Sequence, residues 1–264
     1  AVTLSDARDD AVFEPRPGEM PLWRATRMQA LFAAERAGAM LIIELAGRLG
    51  LAPGQLSARA VADRVWEREW LRDFHAMRFG ERLWVCPHHE TVSAPGAVVV
   101  SLDPGLAFGT GTHPSTALCL TWLARSRALA GRSVVDYGCG SGVLALAALK
   151  LGADRAYAFD IDPQALRAAS ENALDNGVAD RLVVCERAAD IPRGCQVVMA
   201  NILGTVLLPL RESLAALLET GGELLLAGIL ADEQAGMAAA FAKWFDMTWS
   251  EQRDGWVALS GTRY

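Results

Sequence analysis

The stretch Val134-Val135-Asp136-Tyr137-Gly138-Cys139-Gly140-Ser141-Gly142 decides the fold. An apolar, β-branched run ends on an acidic residue, passes through alternating glycines and enters a helical pattern from about Val143 to Leu151. This is the signature of a strand, a tight turn and a helix. Glycine serves such a turn in two ways: it adopts φ/ψ values that side chains disfavour, and it lets a ligand reach the backbone.

Working outward, the same alternation continues. Ser133 to Tyr137, Ala156 to Asp160, Leu182 to Glu186, Val197 to Asn201 and Glu223 to Gly228 read as strands, with helical patterns at Pro163 to Asn176, Val206 to Leu218 and Asp232 to Trp244. Strands separated by helices specify an α/β, doubly wound, mainly parallel sheet whose ligand crevice lies at the carboxyl ends of the strands. Phe245 to Glu251 and Trp256 to Gly261 flank Asp254-Gly255, a hairpin signal, so the sheet is expected to end in a C-terminal antiparallel hairpin. The N-terminal part has a different texture, more charged and weaker in strand signals. We expect a smaller domain over residues 1–66, a linker with a short helix over 67–92, and a catalytic domain over 93–264. Trp66, Trp70 and Phe74 fall at i, i+4, i+8 on the linker helix, a spacing more typical of packing than of a site.

Composition narrows the classes of function. Hydrophobic residues make up 52% of the chain, enough for a buried core, and the formal net charge is −6. That charge disfavours naked nucleic acid and suits a basic protein partner. The long uncharged run from Pro104 to Ala124 is broken by glycine, proline and hydroxyl residues and does not read as a membrane span. A cytoplasmic location is the default. Five cysteines without a C-x-x-C pair argue against disulfides and zinc, and Cys86 with His88 and His89 does not make a ligand set, so no metal is expected.

The glycine spacing discriminates among ligands. A dinucleotide turn wants G-x-G-x-x-G, and Val143 stands where the third glycine would be. The tighter form after an acidic strand end suits a nucleoside with an amino-acid tail, so S-adenosylmethionine is expected ahead of a nicotinamide. Asp160 ends the next strand, where a carboxylate can accept from both ribose hydroxyls. Asp162-Pro163 is the better helix cap, which leaves Asp160 for the ligand. Asn201 closes the fourth strand and should face the transferable methyl group, although a strand-end Asn is also a common turn former. Ile202 and Leu203 follow it where base-methylating enzymes carry Pro-Pro-aromatic, which disfavours a nucleobase substrate. Residues 103–116 form a long glycine-rich loop in which Phe108 is read as an apolar lid over the cofactor. His113, before Pro114 at a helix start, reads as a cap as readily as a catalytic group.

With these residues in view, the chain closely resembles the bacterial ribosomal protein L11 methyltransferases. The match is carried by LDPGLAFGTGTHPST from Leu102, VVDYGCGSGVLALAALKLGA from Val134, AFDIDPQAL from Ala158 and NILG from Asn201. It extends upstream through VFEPRPGE and WEREWLRDFHAMRFGERLWVCP. The resemblance implies a Rossmann-like class I methyltransferase fold, a ferredoxin-like N-terminal domain that grips the ribosomal protein, and trimethylation of lysine ε-amines and an N-terminal α-amine. It places cofactor contacts on Thr116, Gly138, Asp160 and Asn201. Together with the residue-level reading, the expected cofactor site is Phe108, Thr116, Asp136, Gly138, Gly140, Asp160, Ile161 and Asn201, with Asn201 catalytic. In the family a further strand and helix would precede Ala1, so the substrate domain is expected to be incomplete here. A monomer is expected. The alternatives are methylation of another protein or a small amine, a nicotinamide-dependent oxidoreductase, and a non-enzymatic ribosome-binding module.

Overall fold

The computed structural model describes residues 2–8, 23–33, 38–59, 74–102, 109–126 and 129–264. The chain divides into two compact units, Ala1–Val65 and Trp66–Tyr264. In the smaller unit, β1 (Val2–Asp6) pairs antiparallel with β2 (Thr26–Ala30), and α1 (Ala39–Leu49) follows. Gly50, in the left-handed region, ends α1 by donating its N–H to the Ala46 carbonyl.

The larger unit opens with a three-stranded sheet of β3 (Met77–Phe79), β4 (Leu83–Cys86) and β5 (Val98–Ser101). β3 runs antiparallel to β4, and β4 runs parallel to β5. Two of these strands lie inside the stretch expected as linker. Of the apolar stripe there, Trp66 and Trp70 lie outside the described residues, while Phe74 is buried in the core.

The helix α2 (Pro114–Arg125) leads into the alternating region: β6 (Ser133–Tyr137), α3 (Val143–Lys150), β7 (Arg155–Phe159), α4 (Pro163–Asp175), β8 (Leu182–Cys185), β9 (Cys195–Asn201), α5 (Gly204–Leu217), β10 (Leu218–Leu230), α6 (Gln234–Phe241), β11 (Phe245–Arg253) and β12 (Trp256–Arg263). The seven strands lie in the order β11-β12-β10-β9-β6-β7-β8. β10, β9, β6, β7 and β8 are parallel, while β12 is antiparallel to both β10 and β11. This is the doubly wound sheet with a terminal hairpin that the sequence pattern calls for. The strand order reverses between β6 and β9, so the crevice opens at their carboxyl ends.

Strand alternation builds two cores, one on each face. Val134, Val197, Met199, Leu225 and Ala227 point to the face covered by α2 and α3. Val135, Val198, Ala200, Leu224 and Leu226 point to the face covered by α5 and α6. Residues 143–149 of α3 are all buried, because the helix is apolar on every side and lies deep in the first core. Each buried leucine there contributes about 2 kcal/mol through removal of apolar surface from water. At the hairpin, Arg253 pairs with Trp256 across Asp254-Gly255, and both turn residues have positive φ, 49° and 81°, as a type I′ turn requires. No helix among the described residues is long and apolar enough to cross a membrane.

Candidate active site

The site begins at the end of β6. Asp136 is only 1% exposed. Its Oδ2 accepts from the Ala145 N–H in the first turn of α3, at 3.0 Å, and its Oδ1 takes no hydrogen bond from any described residue. Burial, the dominant cause, pushes its carboxyl up to about 7, and the charge of Asp160 adds to the effect against the amide of Ala145. Burial and Asp136 also hold the thiols of Cys119 and Cys139 well above their usual range, so neither is a nucleophile near neutral pH.

After Asp136 the chain turns through Gly138, Gly140 and Gly142, with φ of 79°, 52° and 80°. The positive φ values meet the first expected reason for glycine, backbone conformation; ligand approach was the other, and the neighbours give a third. A Cβ on Gly138 would stand 2.3 Å from Ile202 Cγ2, and one on Gly142 would stand 2.9 Å from the Ala169 side chain on α4. The loop is thus pressed between α4 and the residue after Asn201. Its amides are held as well, since Gly138 and Cys139 both donate to the Phe159 carbonyl at the end of β7.

Asp160 sits where the sequence places it, at the end of β7, but its carboxylate is not free. Oδ2 accepts from Gly140 N at 2.9 Å and Oδ1 from Asp162 N at 3.0 Å. Asp162 caps α4 as expected, its Oδ1 accepting from Gln164 N at 2.8 Å ahead of Pro163. Two amides leave a carboxylate with further lone pairs for hydroxyl donors. Beside it, Ile161 is 91% exposed.

The second half of the site joins α2 to β9. Thr116 is buried in the first turn of α2, and its Oγ1 accepts from Asn201 Nδ2 at 3.1 Å. That bond fixes the amide, and Asn201 Oδ1 is left buried with no donor among the described residues. His113 acts as the cap of α2: Nδ1 lies 3.3 Å from Ser115 N and 2.7 Å from Ser115 Oγ, and the ring stands edge-on to Trp256. Burial lowers its pKa. Phe108 lies outside the described residues.

Two residues that sequence reasoning missed shape this end of the crevice. Gly228, in the apolar run of β10, has φ +80°, and a Cβ there would stand 2.4 Å from the Ile202 carbonyl oxygen. A lone glycine within a strand pattern is a signal for close backbone approach and marks the position. Ser141 donates from Oγ to the Gly109 carbonyl at 2.5 Å, a pairing that no local pattern announces.

These residues fit a sulfonium nucleoside. Asp160 retains acceptor capacity at the strand end, Ile161 offers an apolar surface next to it, and the Asn201 oxygen lacks the donor that buried acceptors almost always have. Among the described residues no cluster of His, Cys, Asp or Glu is placed to hold a metal ion.

The family model for ribosomal protein L11 methyltransferase (PrmA) matches residues 1–264. The ribosomal protein L11 methyltransferase of Hahella chejuensis is 48% identical over 263 residues, covering 100% of this chain and 89% of that protein. The protein of the same name from Azotobacter vinelandii is 47% identical over 264 residues, covering 100% and 90%. The crystal structure of ribosomal protein L11 methylase from Lactobacillus delbrueckii subsp. bulgaricus superposes with a TM-score of 0.66 at 31% identity, over 72% of this chain and 99% of that one. The fold is that of the Rossmann-like class I methyltransferases. A family model matched over residues 1–264, with relatives 47% and 48% identical over the whole chain, places this protein in the ribosomal protein L11 methyltransferase family.

Proposed function

We propose that this chain transfers methyl groups from S-adenosylmethionine to lysine ε-amines and the N-terminal α-amine of ribosomal protein L11. The observation that carries the reading is the Asn201 amide, pinned through Nδ2 to Thr116 with its buried Oδ1 taking no donor among the described residues. Relatives of the same name, matched over the whole of this chain, support the substrate.

S-adenosylmethionine supplies an electrophilic methyl group on a sulfonium. Asp160 would hold the ribose hydroxyls and Ile161 the purine, with Asp136, Gly138 and Gly140 forming the turn beneath and Thr116 beside Asn201; Phe108, expected as a lid, lies outside the described residues. A free lysine has a pKa near 10.4, so about one in a thousand is neutral at cytoplasmic pH, an obstacle of about 4 kcal/mol. A carboxylate at position 201 would enlarge that obstacle by stabilising the ammonium. The neutral amide oxygen of Asn201 instead accepts one N–H and aims the lone pair, while desolvation in the crevice disfavours the charged amine. Positioning then carries most of the rate.

We read residues 1–66 as the substrate-gripping domain and 93–264 as the catalytic domain, with 67–92, the expected linker, contributing β3 and β4 to the larger unit. The net charge of −6 suits a basic protein substrate rather than nucleic acid, and we place the reaction in the cytoplasm, on the monomer. The test is incubation with labelled S-adenosylmethionine and unmodified ribosomal proteins, followed by mass analysis. Label on L11 is expected, and label in RNA would overturn the substrate. Asn201→Ala should cut kcat by about a hundredfold or more, the scale for losing a group that orients the reacting centre, while cofactor affinity holds. Full turnover would remove Asn201 from the chemistry.

A further inference from the structure

Helix α4 and its C-cap make two polar reaches toward the site, from Asn172 and Asn176, one turn apart. Asn172 Nδ2 donates to the Ser141 carbonyl at 2.9 Å. Asn176 takes both backbone groups of Ser101, accepting from its N–H at 2.8 Å and donating to its carbonyl at 2.7 Å. Ser101 is the last residue of β5, and the chain beyond it leads to the segment that opens α2. Ser141 in turn donates from Oγ to the carbonyl of Gly109 in that segment. The two reaches therefore bracket the entry to α2, one at Ser101 and the other, through Ser141, at Gly109.

Ser141 and Gly109 are a matched pair. Gly109 has φ +103°, which side chains disfavour, and a Cβ there would crowd Ser141 Oγ at 3.1 Å, so glycine at one position leaves room for the donor at the other. The hydroxyl is also turned away from solvent, since Ser141 is 4% exposed. In the loop Gly138–Gly142 it is the one hydroxyl side chain, and it is spent on the protein rather than offered to a ligand.

This matters because the two halves of the site are registered differently. The glycine turn and Asn201 follow adjacent strands, β6 and β9, aligned by backbone pairing. Thr116, which fixes the Asn201 amide, arrives on α2 from outside that ladder. We propose that Ser141 is a positioning residue for methyl transfer: through Gly109 its hydroxyl holds the lead-in of α2, and with it Thr116 and the Asn201 amide, against the glycine turn. This rests on the methyltransferase reading above.

The test is Ser141→Ala in the full chain, with kcat at saturating S-adenosylmethionine, the Kd for S-adenosylhomocysteine by calorimetry, and Tm. We expect kcat to fall about fivefold or more, the factor one ordinary hydrogen bond is worth, with Kd changed less than about twofold. Ser141→Thr, which keeps the hydroxyl, should recover most of the turnover. Thr121→Ala serves as the control, because it removes a bond of the same kind within α2, from Thr121 Oγ1 to the Ala117 carbonyl, and should leave kcat unchanged. Unchanged kcat in Ser141→Ala overturns the proposal, as does a loss that tracks a lowered Tm and that Thr121→Ala reproduces. Failure of the unaltered protein to bind S-adenosylhomocysteine would instead bring down the methyltransferase reading, and this inference with it.

Discussion

The relative stability of Asp136→Asn and the unaltered protein should invert with pH. Asp136 lies almost wholly out of solvent, with one carboxylate oxygen on the Ala145 amide and the other without a donor among the described residues, and burial pushes its carboxyl up to about 7. In the unfolded chain the same group titrates near 3.9. Below about pH 4 both states hold the proton, and the aspartate costs the fold little. Between pH 4 and 7 the unfolded chain releases the proton while the folded chain keeps it, so the unfolded state binds fewer protons and stability falls as pH rises. Above pH 7 the loss levels off. Three pH units at about 1.4 kcal/mol each bound the penalty at about 4 kcal/mol. Asparagine keeps an acceptor for Ala145 and carries no charge, but it buries an amide N–H₂ where the unpaired oxygen stood, a cost of about 1–3 kcal/mol at any pH. The variant should therefore melt at or below the unaltered protein at pH 4.5 and above it at pH 8. For a unit of this size, 1 kcal/mol moves Tm by about 2–4 °C, so the swing between the two pH values should be on the order of 10 °C. Scanning calorimetry without cofactor reads it directly. A Tm difference that is the same at pH 4.5 and pH 8 would refute the burial argument.

Three further outcomes are expected. Asp160→Ala should weaken cofactor binding by about a hundredfold, the worth of two charge-assisted hydrogen bonds, and calorimetry showing unaltered affinity would take Asp160 out of the ribose site. Gly228→Ala forces a Cβ to 2.4 Å from the Ile202 carbonyl at φ +80°, so the thermal transition should drop by several degrees and kcat should fall with the displaced Asn201-Ile202 turn; an unchanged melt would show that the backbone there yields freely. His113→Asn keeps an N-cap acceptor but loses the ring contact with Trp256, so it should retain activity with a small drop in Tm, whereas His113→Ala should lose about 1 kcal/mol more, measurable by denaturant titration; loss of turnover in the asparagine variant beyond what its stability explains would make the imidazole a chemical participant.

From Ser133 onward the architecture was legible because each element announces itself locally. β6 and β9 are apolar runs of strand length, Asp162-Pro163 caps α4, and Asp254-Gly255 sets the hairpin turn. The sheet of β3, β4 and β5 was not legible. Its strands are three or four residues long, too short for a period to declare itself, and their pairing is decided at a distance. The same holds at the site. Strand-end positions placed Asp160 and Asn201, but the amides on Asp160 come from Gly140 and Asp162, and the grip on Asn201 comes from Thr116, 85 residues away. The glycine turn was read from backbone conformation and ligand approach, and the positive φ values agree with the first; the packing was not legible, since Ile202 and Ala169, which fill the space that side chains at 138 and 142 would need, come from distant elements.

The position of β12 has a consequence for how the molecule is made. It is synthesised after every other strand of its sheet, yet it lies inside the sheet, between β10 and β11. Until Trp256–Arg263 has left the translating ribosome, the apolar run Leu224–Leu226 of β10 has an open flank, and β11 has nothing to pair with. An open apolar strand edge invites pairing with other chains. A nascent chain stalled before Trp256 is therefore more prone to aggregate than the finished protein, and a stop codon there removes more structure than the strand β12 itself.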